Sequence, residues 1–403
     1  MGAWCSRRPT HRVRRGGDRR TPAPSRRGSA SAPATSSSCS TPSISGCSTS
    51  ATPDSRKFRC GPPRSSSRYW ACSRHGAPGV WPARSRRRER GATAAAAARR
   101  RVKTCTVIVL NWNGLADTRA LLPTLERSRM PAGWRLRVLV VDNGSSDGSI
   151  GAIAREFPEV ELLALAENRR FAGGNNQGLR RAPDRGDDAV MLLNNDTEAD
   201  PGMLEHLILA LEQDPGAGAA GPLTYFAAPS RRIWYAGGRC VPGLGHASHR
   251  GLRQLDHGQY RAVERTGYLS GCALLAWASV WERVGLLDER YYIYAEDCDW
   301  CLRARAAGYA LLFVPTARLW HKVSASSGAA SPWKIYQRLR ANAALFARHA
   351  RGIGRATWLP SFVVQQAALA AWLAARGRMG AAAAVPRALL DAARGAPAER
   401  ARP

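Results

Sequence analysis

From residue 102 onward the chain alternates continuous apolar runs with amphipathic ones. "CTVIVLNWNG" (105–114) is a β-branched run closed by Asn-Gly, which predicts a buried strand and a turn. "ADTRALLPTLERS" predicts a helix with Asp117 as its N-cap. "RVLVVDNGSSDGS" (137–149) predicts a second apolar strand ending in an acid and a Gly/Ser loop, followed by the helix "IGAIAREF" and a short strand in "VELLALAEN". "GGNNQGLRRA" opens another helix, and "DDAVMLLNNDT" (187–197) predicts a further buried strand, with a helix in "TEADPGMLEHLILALEQ" starting next. Strands alternating with helices imply a parallel sheet covered on both faces, and in such sheets ligands bind beyond the carboxyl ends of the strands. Asn113, Asp142 and Asp196 all stand at such ends.

Charge changes the picture of the first hundred residues. Of a net charge of +30, residues 1–100 carry +19, from 21 Arg and 1 Lys against 3 acids. Their Arg runs, Ser/Thr/Pro tracts and alanine run have no period and few apolar residues able to form a core, so disorder is expected. Such text also arises when GC-rich DNA is translated outside its frame, and a natural start near Val102 is expected. A basic arm binding nucleic acid or anionic lipid is the alternative. No apolar stretch follows the Arg-rich text, so no signal peptide is expected. Cys105, Cys240, Cys272, Cys298 and Cys301 show no framework spacing, which fits reduced thiols in a cytoplasmic compartment. The expected organisation is a basic low-complexity segment over 1–101, a catalytic domain over 102–330 and a helical region over 331–403.

The strand ends carry neither a dinucleotide-binding glycine signature nor a Walker A loop. Asp142, in "DNGSSDGS", can accept hydrogen bonds from a ribose or base edge, or simply close an Asx-turn. In "LLNNDT", Asp196 can bind Mg²⁺ or Mn²⁺, or serve as helix-capping text; Thr197, Asp200 and Pro201 already supply cap chemistry. "YAEDCDWCLRARAAGY" (294–309) holds a C-x-x-C pair, Cys298 and Cys301, overlapping an acidic cluster of Glu296, Asp297 and Asp299. A zinc site wants a second pair or a nearby His, so buried small hydrophobes describe these cysteines better.

"TVIVLNWNG", "VVDNGSSDGS", "ENRRFAGGNNQGLR", "LLNNDT", "YLSGCALLAWASVWERVGLLDERYYIYAEDCDWCLRARAAGY" and "WHKVSASSG" occur in the order found in glycosyltransferase family 2. Over roughly 102–395 the chain most resembles the rhamnosyltransferase-like bacterial branch of that family. The resemblance implies a GT-A fold: a three-layer α/β/α arrangement with a mostly parallel central sheet, plus a C-terminal helical extension. It also implies a nucleotide-diphosphate-sugar donor, a divalent cation (Mg²⁺ or Mn²⁺) and inversion at the anomeric carbon. By the same resemblance Asn113, Asp142, Asn143 and Ser145 hold the nucleoside, while Phe171, Ala172, Gly173, Gly174 and Asn176 lie along the donor. The family's D-x-D element falls on Asn194, Asn195 and Asp196, with a single carboxylate left for the metal and His321 as its second ligand. Asp297 matches the base that deprotonates the acceptor hydroxyl, with Glu296 orienting it or touching the acceptor. Asp299 points away, toward backbone or Arg303. Ser324 to Gly328 would form a flap over the donor. Arg169 and Arg170 replace small residues before Phe171, and could meet a phosphate or stay solvated.

The tail adds a basic amphipathic helix over 334–352, with Ile335, Leu339, Ala343 and Phe346 on one face. An apolar stretch over 356–378 is interrupted by Pro360, Gln365 and Gln366 and flanked by Trp358, Trp372 and Arg. It suits either a helix in a membrane interface or one packed on the catalytic domain. The resemblance thus implies an inverting hexosyl transfer, with rhamnose the sugar its branch favours, to a cell-surface glycan, lipid-linked or free, in the cytoplasm or on the inner face of the membrane and without nucleic acid as partner. The rivals are a nucleotidyltransferase or sugar-nucleotide-binding protein of the same fold, and a charge-driven nucleic-acid binder.

Overall fold

The computed structural model describes residues 101–182, 184–323 and 331–395. Expectations for residues 1–100 and for the flap at 324–328 lie outside the described residues. In chain order the elements are β1 (Lys103–Asn111), α1 (Leu115–Glu126), β2 (Trp134–Asp142), α2 (Ser149–Glu156), β3 (Glu161–Ala164), α3 (Arg170–Leu179), β4 (Ala189–Asn194) and β5 (Thr197–Ala199). Then follow α4 (Met203–Gln213), β6 (Ala217–Phe226), β7 (Ile233–Tyr235), β8 (Gly238–Val241), β9 (His246–His249), β10 (Glu264–Arg265) and β11 (Ala273–Trp277). The described part closes with α5 (Ala278–Val284), α6 (Glu296–Ala306), β12 (Ala310–His321), α7 (Pro332–His349), α8 (Gly354–Ala375) and α9 (Met379–Ala393).

The main sheet runs β10-β12-β6-β11-β4-β1-β2-β3, with β5 added to β12 and β7 to β6. The β1–β4 strands pair in parallel, as the alternation with helices requires. Their runs are apolar throughout because both faces are covered. Ile108, Val190 and Leu192 face one core, which also takes in residues of α3, α5, α6 and α7, while Val107, Val109, Met191 and Leu193 face a second core under α1 and α4. The α7 helix thus shares a core with α6, and its buried face carries Ile335, Leu339 and Phe346 as the periodicity predicts.

Several local expectations are corrected. Asp117 is not an N-cap: α1 begins at Leu115 behind Gly114, and Asp117 pairs with Lys322 at 2.7 Å. "TEA" is a strand and not the start of a helix, because its backbone groups pair antiparallel with the end of β12; α4 starts only at Met203. The helix opened by "GGNNQG" begins earlier, at Arg170, so the whole "FAGGNN" segment is helical. The β12 strand ends at His321. The β11 strand runs antiparallel between β4 and β6, which brings its start to the rim where β4 ends.

Candidate active site

The polar rim is organised by a residue the sequence reading passed over. Asn111, buried at the end of β1, donates to Asp142 Oδ1 at 2.8 Å and to Ser145 Oγ at 3.2 Å. Its side-chain Oδ1 accepts from Thr118 Oγ1 at 2.8 Å and Asn195 Nδ2 at 3.3 Å. The second oxygen of Asp142 accepts the Ser145 N–H at 3.0 Å. Asn143 donates to Asn168 and to the Arg170 carbonyl, and accepts the Arg169 N–H. Asp142, Asn143 and Ser145 are therefore brought together, but as a shelf that holds itself. Gly144 makes the shelf's turn at φ +75°, and a Cβ there would come within 2.7 Å of the Glu167 backbone. What stands open on the shelf is Asn113, with φ 49° and its Oδ1 on the Ser146 N–H, and the ring of Trp112, 55% exposed. An aromatic between two Asn at a strand end was the available signal for Trp112.

Along α3 the predicted donor residues divide. Ala172, Gly173 and Gly174 are buried against the sheet. Asn176 spends its amide on structure, donating to the Leu287 carbonyl and Glu289 and accepting the Leu287 N–H. Phe171 is different: its ring lies against Gly271, where an added Cβ would come within 3.1 Å of that ring and 3.2 Å of Asp297 Cβ. The Arg170 guanidinium covers the Tyr292 ring at 4.1 Å, so its charge is engaged within the chain.

At the end of β4, Asn194 bonds through its backbone to Cys272, and Asn195 donates to Asn111, the Gly114 carbonyl and Thr118. Asp196 Oδ1 lies 3.1 Å from His321 Nε2, with 13% and 8% of the two side chains exposed. Burial disfavours the charged imidazole, but the Cys272 sulfur and the Asp196 carboxylate beside it more than offset this and push it up to about 10. Two ligands side by side on one small divalent ion stand about 3 Å apart, given metal–ligand bonds of about 2.1 Å. Oxygen from Asp196 and nitrogen from His321 therefore fit two adjacent positions on such a cation. No group of three or more His, Cys, Asp or Glu forms a fuller set among the described residues, so a diphosphate would have to supply much of the shell. Behind His321, the Trp234 ring meets it edge-on at 4.6 Å and meets His249 in the same way. Burial pushes His249 down to about 4. These backing residues were not foreseen, since nothing in their local text marks them.

The acidic cluster enters α6 through two successive residues in the left-handed region, Tyr294 (φ 73°) and Ala295 (φ 70°). Each such non-glycine residue costs on the order of 1–3 kcal/mol, and strain of this kind concentrates where a side chain must be aimed. Asp297 keeps part of its surface open while its oxygens accept the Gly271 N–H at 2.8 Å and the Cys298 N–H at 2.7 Å. Burial raises its pKa and those two N–H groups oppose the rise. Glu296 is buried, one of its oxygens has no hydrogen-bond partner among the described residues, and burial together with the adjacent Asp297 raises its pKa. Asp299 turns inward to Arg303 at 2.8 Å and His349 at 2.7 Å. Cys298 and Cys301 are free, buried thiols in the core, 4% and 0% exposed.

One tripeptide joins the two halves of the site. Ser270-Gly271-Cys272, at the start of β11, gives its middle N–H to Asp297, accepts the Asn194 N–H on its last carbonyl and sets the Cys272 side chain near His321.

Residues 106–273 match the family model described as Glycosyl transferase family 2. The N-acetylglucosaminyl-diphospho-decaprenol L-rhamnosyltransferase of Mycobacterium tuberculosis is 33% identical over 211 residues, which cover 47% of this chain and 68% of the relative. A dTDP-rhamnosyl transferase of Shigella flexneri is 25% identical over 193 residues, 47% of this chain and 61% of that one. Among solved structures, a Pyrobaculum calidifontis mannosyltransferase in complex with GDP-Man and Mn²⁺ superposes with a TM-score of 0.48 at 18% identity, covering 72% of this chain and 86% of that chain. Family match and sequence relatives agree with the strand order and the ordered motifs: the chain belongs to glycosyltransferase family 2, in its rhamnosyltransferase-like branch, and is a glycosyltransferase of GT-A fold.

Proposed function

We propose that the chain is an inverting transferase that moves a hexose, rhamnose, from a nucleotide-diphosphate donor to a hydroxyl of a lipid-linked cell-surface glycan at the inner face of the membrane. The names of its sequence relatives support the sugar and the acceptor class. The observation that carries the chemistry is the Ser270-Gly271-Cys272 stretch, whose Gly271 N–H holds Asp297 and whose Cys272 carbonyl holds the strand end that presents Asp196 beside His321.

In this reading Asp297 takes the proton of the acceptor hydroxyl as its oxygen attacks C1, and the bond from C1 to the diphosphate oxygen breaks on the opposite face. Backbone N–H groups from Gly271 and Cys298 fix the carboxylate without neutralising it. Glu296, held protonated by burial beside Asp297, leaves the negative charge of the pair on Asp297; two neighbouring carboxyls thus divide the protonated and the basic state. Phe171 walls the sugar beside Asp297, and Trp112 and Asn113 receive the nucleoside on the shelf built by Asn111, Asp142, Asn143 and Ser145. Asp196 and His321 would hold a divalent cation, which when bound supplies charge stabilisation to the departing diphosphate. Asn194 and Asn195 fix the strand end that presents Asp196.

The test is transfer by the purified chain from a panel of sugar nucleotides, dTDP-rhamnose included, to a lipid-diphosphate-linked N-acetylglucosamine, with the anomeric configuration of the product read by NMR. An inverted linkage formed from dTDP-rhamnose supports the reading. A retained configuration, or turnover with another sugar only, overturns the corresponding part.

A further inference from the structure

The α8 helix is apolar on two faces, and Phe362 and Leu373 bury the inner one in the core. Its outward face is apolar: Leu359, Val363 and Val364 are 51%, 42% and 69% exposed at neighbouring positions around the helix, and Trp372, 47% exposed, stands at the edge of that face. Exposed alanines fill the gaps between them, and no charged side chain occurs over 356–374. Its polar groups lie along one edge of the inner face. Thr357 donates to the Gly243 carbonyl at 2.7 Å, Ser361 and Gln365 donate to the Leu244 carbonyl at 2.9 Å, and Gln366 is buried. Of the two glutamines that interrupt the apolar text, Gln365 is thus an anchor to the turn between β8 and β9.

Charge selects the occupant. Residues 331–395 hold ten basic side chains and one acid. Arg351 and Arg355 at one end of α8, and Arg376 and Arg378 at the other, are exposed, and among the described residues no carboxylate pairs with any of the four. A second copy docked on this face would bring two equally basic rims together, since a two-fold interface sets the same patch against itself. A spanning arrangement fails on the inner face, where lipid would strip Gln365 and Ser361 of their partners. An anionic lipid surface satisfies both features: apolar residues sink into the acyl boundary and arginines meet headgroup phosphates.

We propose that α8 lies flat in the surface of an anionic membrane, outward face down, as the docking element of the enzyme. The proposal stands on surface chemistry and does not depend on the acceptor reading. It has a structural consequence for catalysis, because Arg348 and His349, just ahead of α8, hold Asp299 of the helix that carries Asp297.

The test is co-sedimentation of the full chain with vesicles of phosphatidylcholine alone or with about one third phosphatidylglycerol, at physiological salt and at about 0.5 M salt, where charge-driven binding is screened. Val364→Glu/Ala368→Glu changes two exposed positions and leaves the charge of residues 1–100 as it is. Wild type is expected to stay on phosphatidylglycerol vesicles at high salt, and the double variant, with an unchanged melting curve, to bind at least about ten-fold more weakly. Changing the four flanking arginines to Gln is expected to weaken binding to phosphatidylglycerol vesicles at physiological salt, with the charge of residues 1–100 the same in both proteins; unchanged binding counts against the proposal. Equal binding of wild type and the glutamate variant at high salt, or wild type left in the supernatant, overturns the proposal. So does a lipid-free dimer that the glutamate variant converts to monomer.

Discussion

Asp299 ties the catalytic helix to the C-terminal helices, and removing its charge tests that joint. The carboxylate is fully buried and is met by Arg303 Nε at 2.8 Å, His349 Nε2 at 2.7 Å and Arg348 at 3.3 Å. Burial alone would raise its pKa, but hydrogen bonds from His349 and Arg303 and the charge of Arg348 more than offset this and hold it below the usual range. Breaking a buried pair by removing one partner costs about 3–5 kcal/mol. In Asp299→Asn the lower end applies, because Arg303 keeps the Val284 and Leu286 carbonyls. About 3 kcal/mol in a domain of this size lowers Tm by roughly 6–12 °C. A carboxyl depressed in the fold contributes stability above its unfolded pKa and loses it as pH falls through the folded value. The gap between wild type and Asp299→Asn, followed by circular dichroism melts, should therefore be full at pH 7 and close below about pH 4, the ordinary aspartate range. A Tm within about 2 °C of wild type at pH 7 would refute the reasoning. So would a gap that persists in acid.

Three further outcomes follow from the site. Gly144→Ala meets the Glu167 backbone and a left-handed φ at once, so a loss of about 2–4 kcal/mol is expected in the urea midpoint, with no loss if the loop can shift. Asp196→Ala should abolish the dependence of transfer on Mg²⁺ or Mn²⁺ along with most activity; full wild-type activity in EDTA would remove the cation from the account. Cys298→Ala/Cys301→Ala should keep transferase activity and carry no zinc by elemental analysis, since burial pushes the Cys301 thiol up and both side chains serve the core.

The parallel half of the sheet was legible because continuous β-branched runs such as "TVIVL" leave no solvent face to explain otherwise. The antiparallel β11 and the added β5 were not, because their partners lie far away in sequence: Ala273 meets Leu193 and Thr197 meets His321. At the rim, text could place Asn and Asp at strand ends but could not say which would be consumed. Asn111 and Asp142 bond to each other, and Asn113 and Trp112 are left facing out. The acids at the start of α6 were legible as a cluster. Their division into an accessible Asp297, a buried Glu296 and an inward Asp299 depends on Tyr294 and Ala295 adopting positive φ, which no local propensity announces. In α8 the glutamines read as breaks in an apolar helix, and only the fold assigns them an inner face.

The central claim is that Asp297 is the base and that donor binding does not need it. Asp297→Asn keeps the shape of the side chain and removes its basicity, so turnover should fall by about 10²–10⁴, while sugar-nucleotide binding measured by calorimetry stays within about three-fold of wild type, a difference under about 1 kcal/mol. Turnover within ten-fold of wild type, or donor binding lost together with activity, would contradict the account.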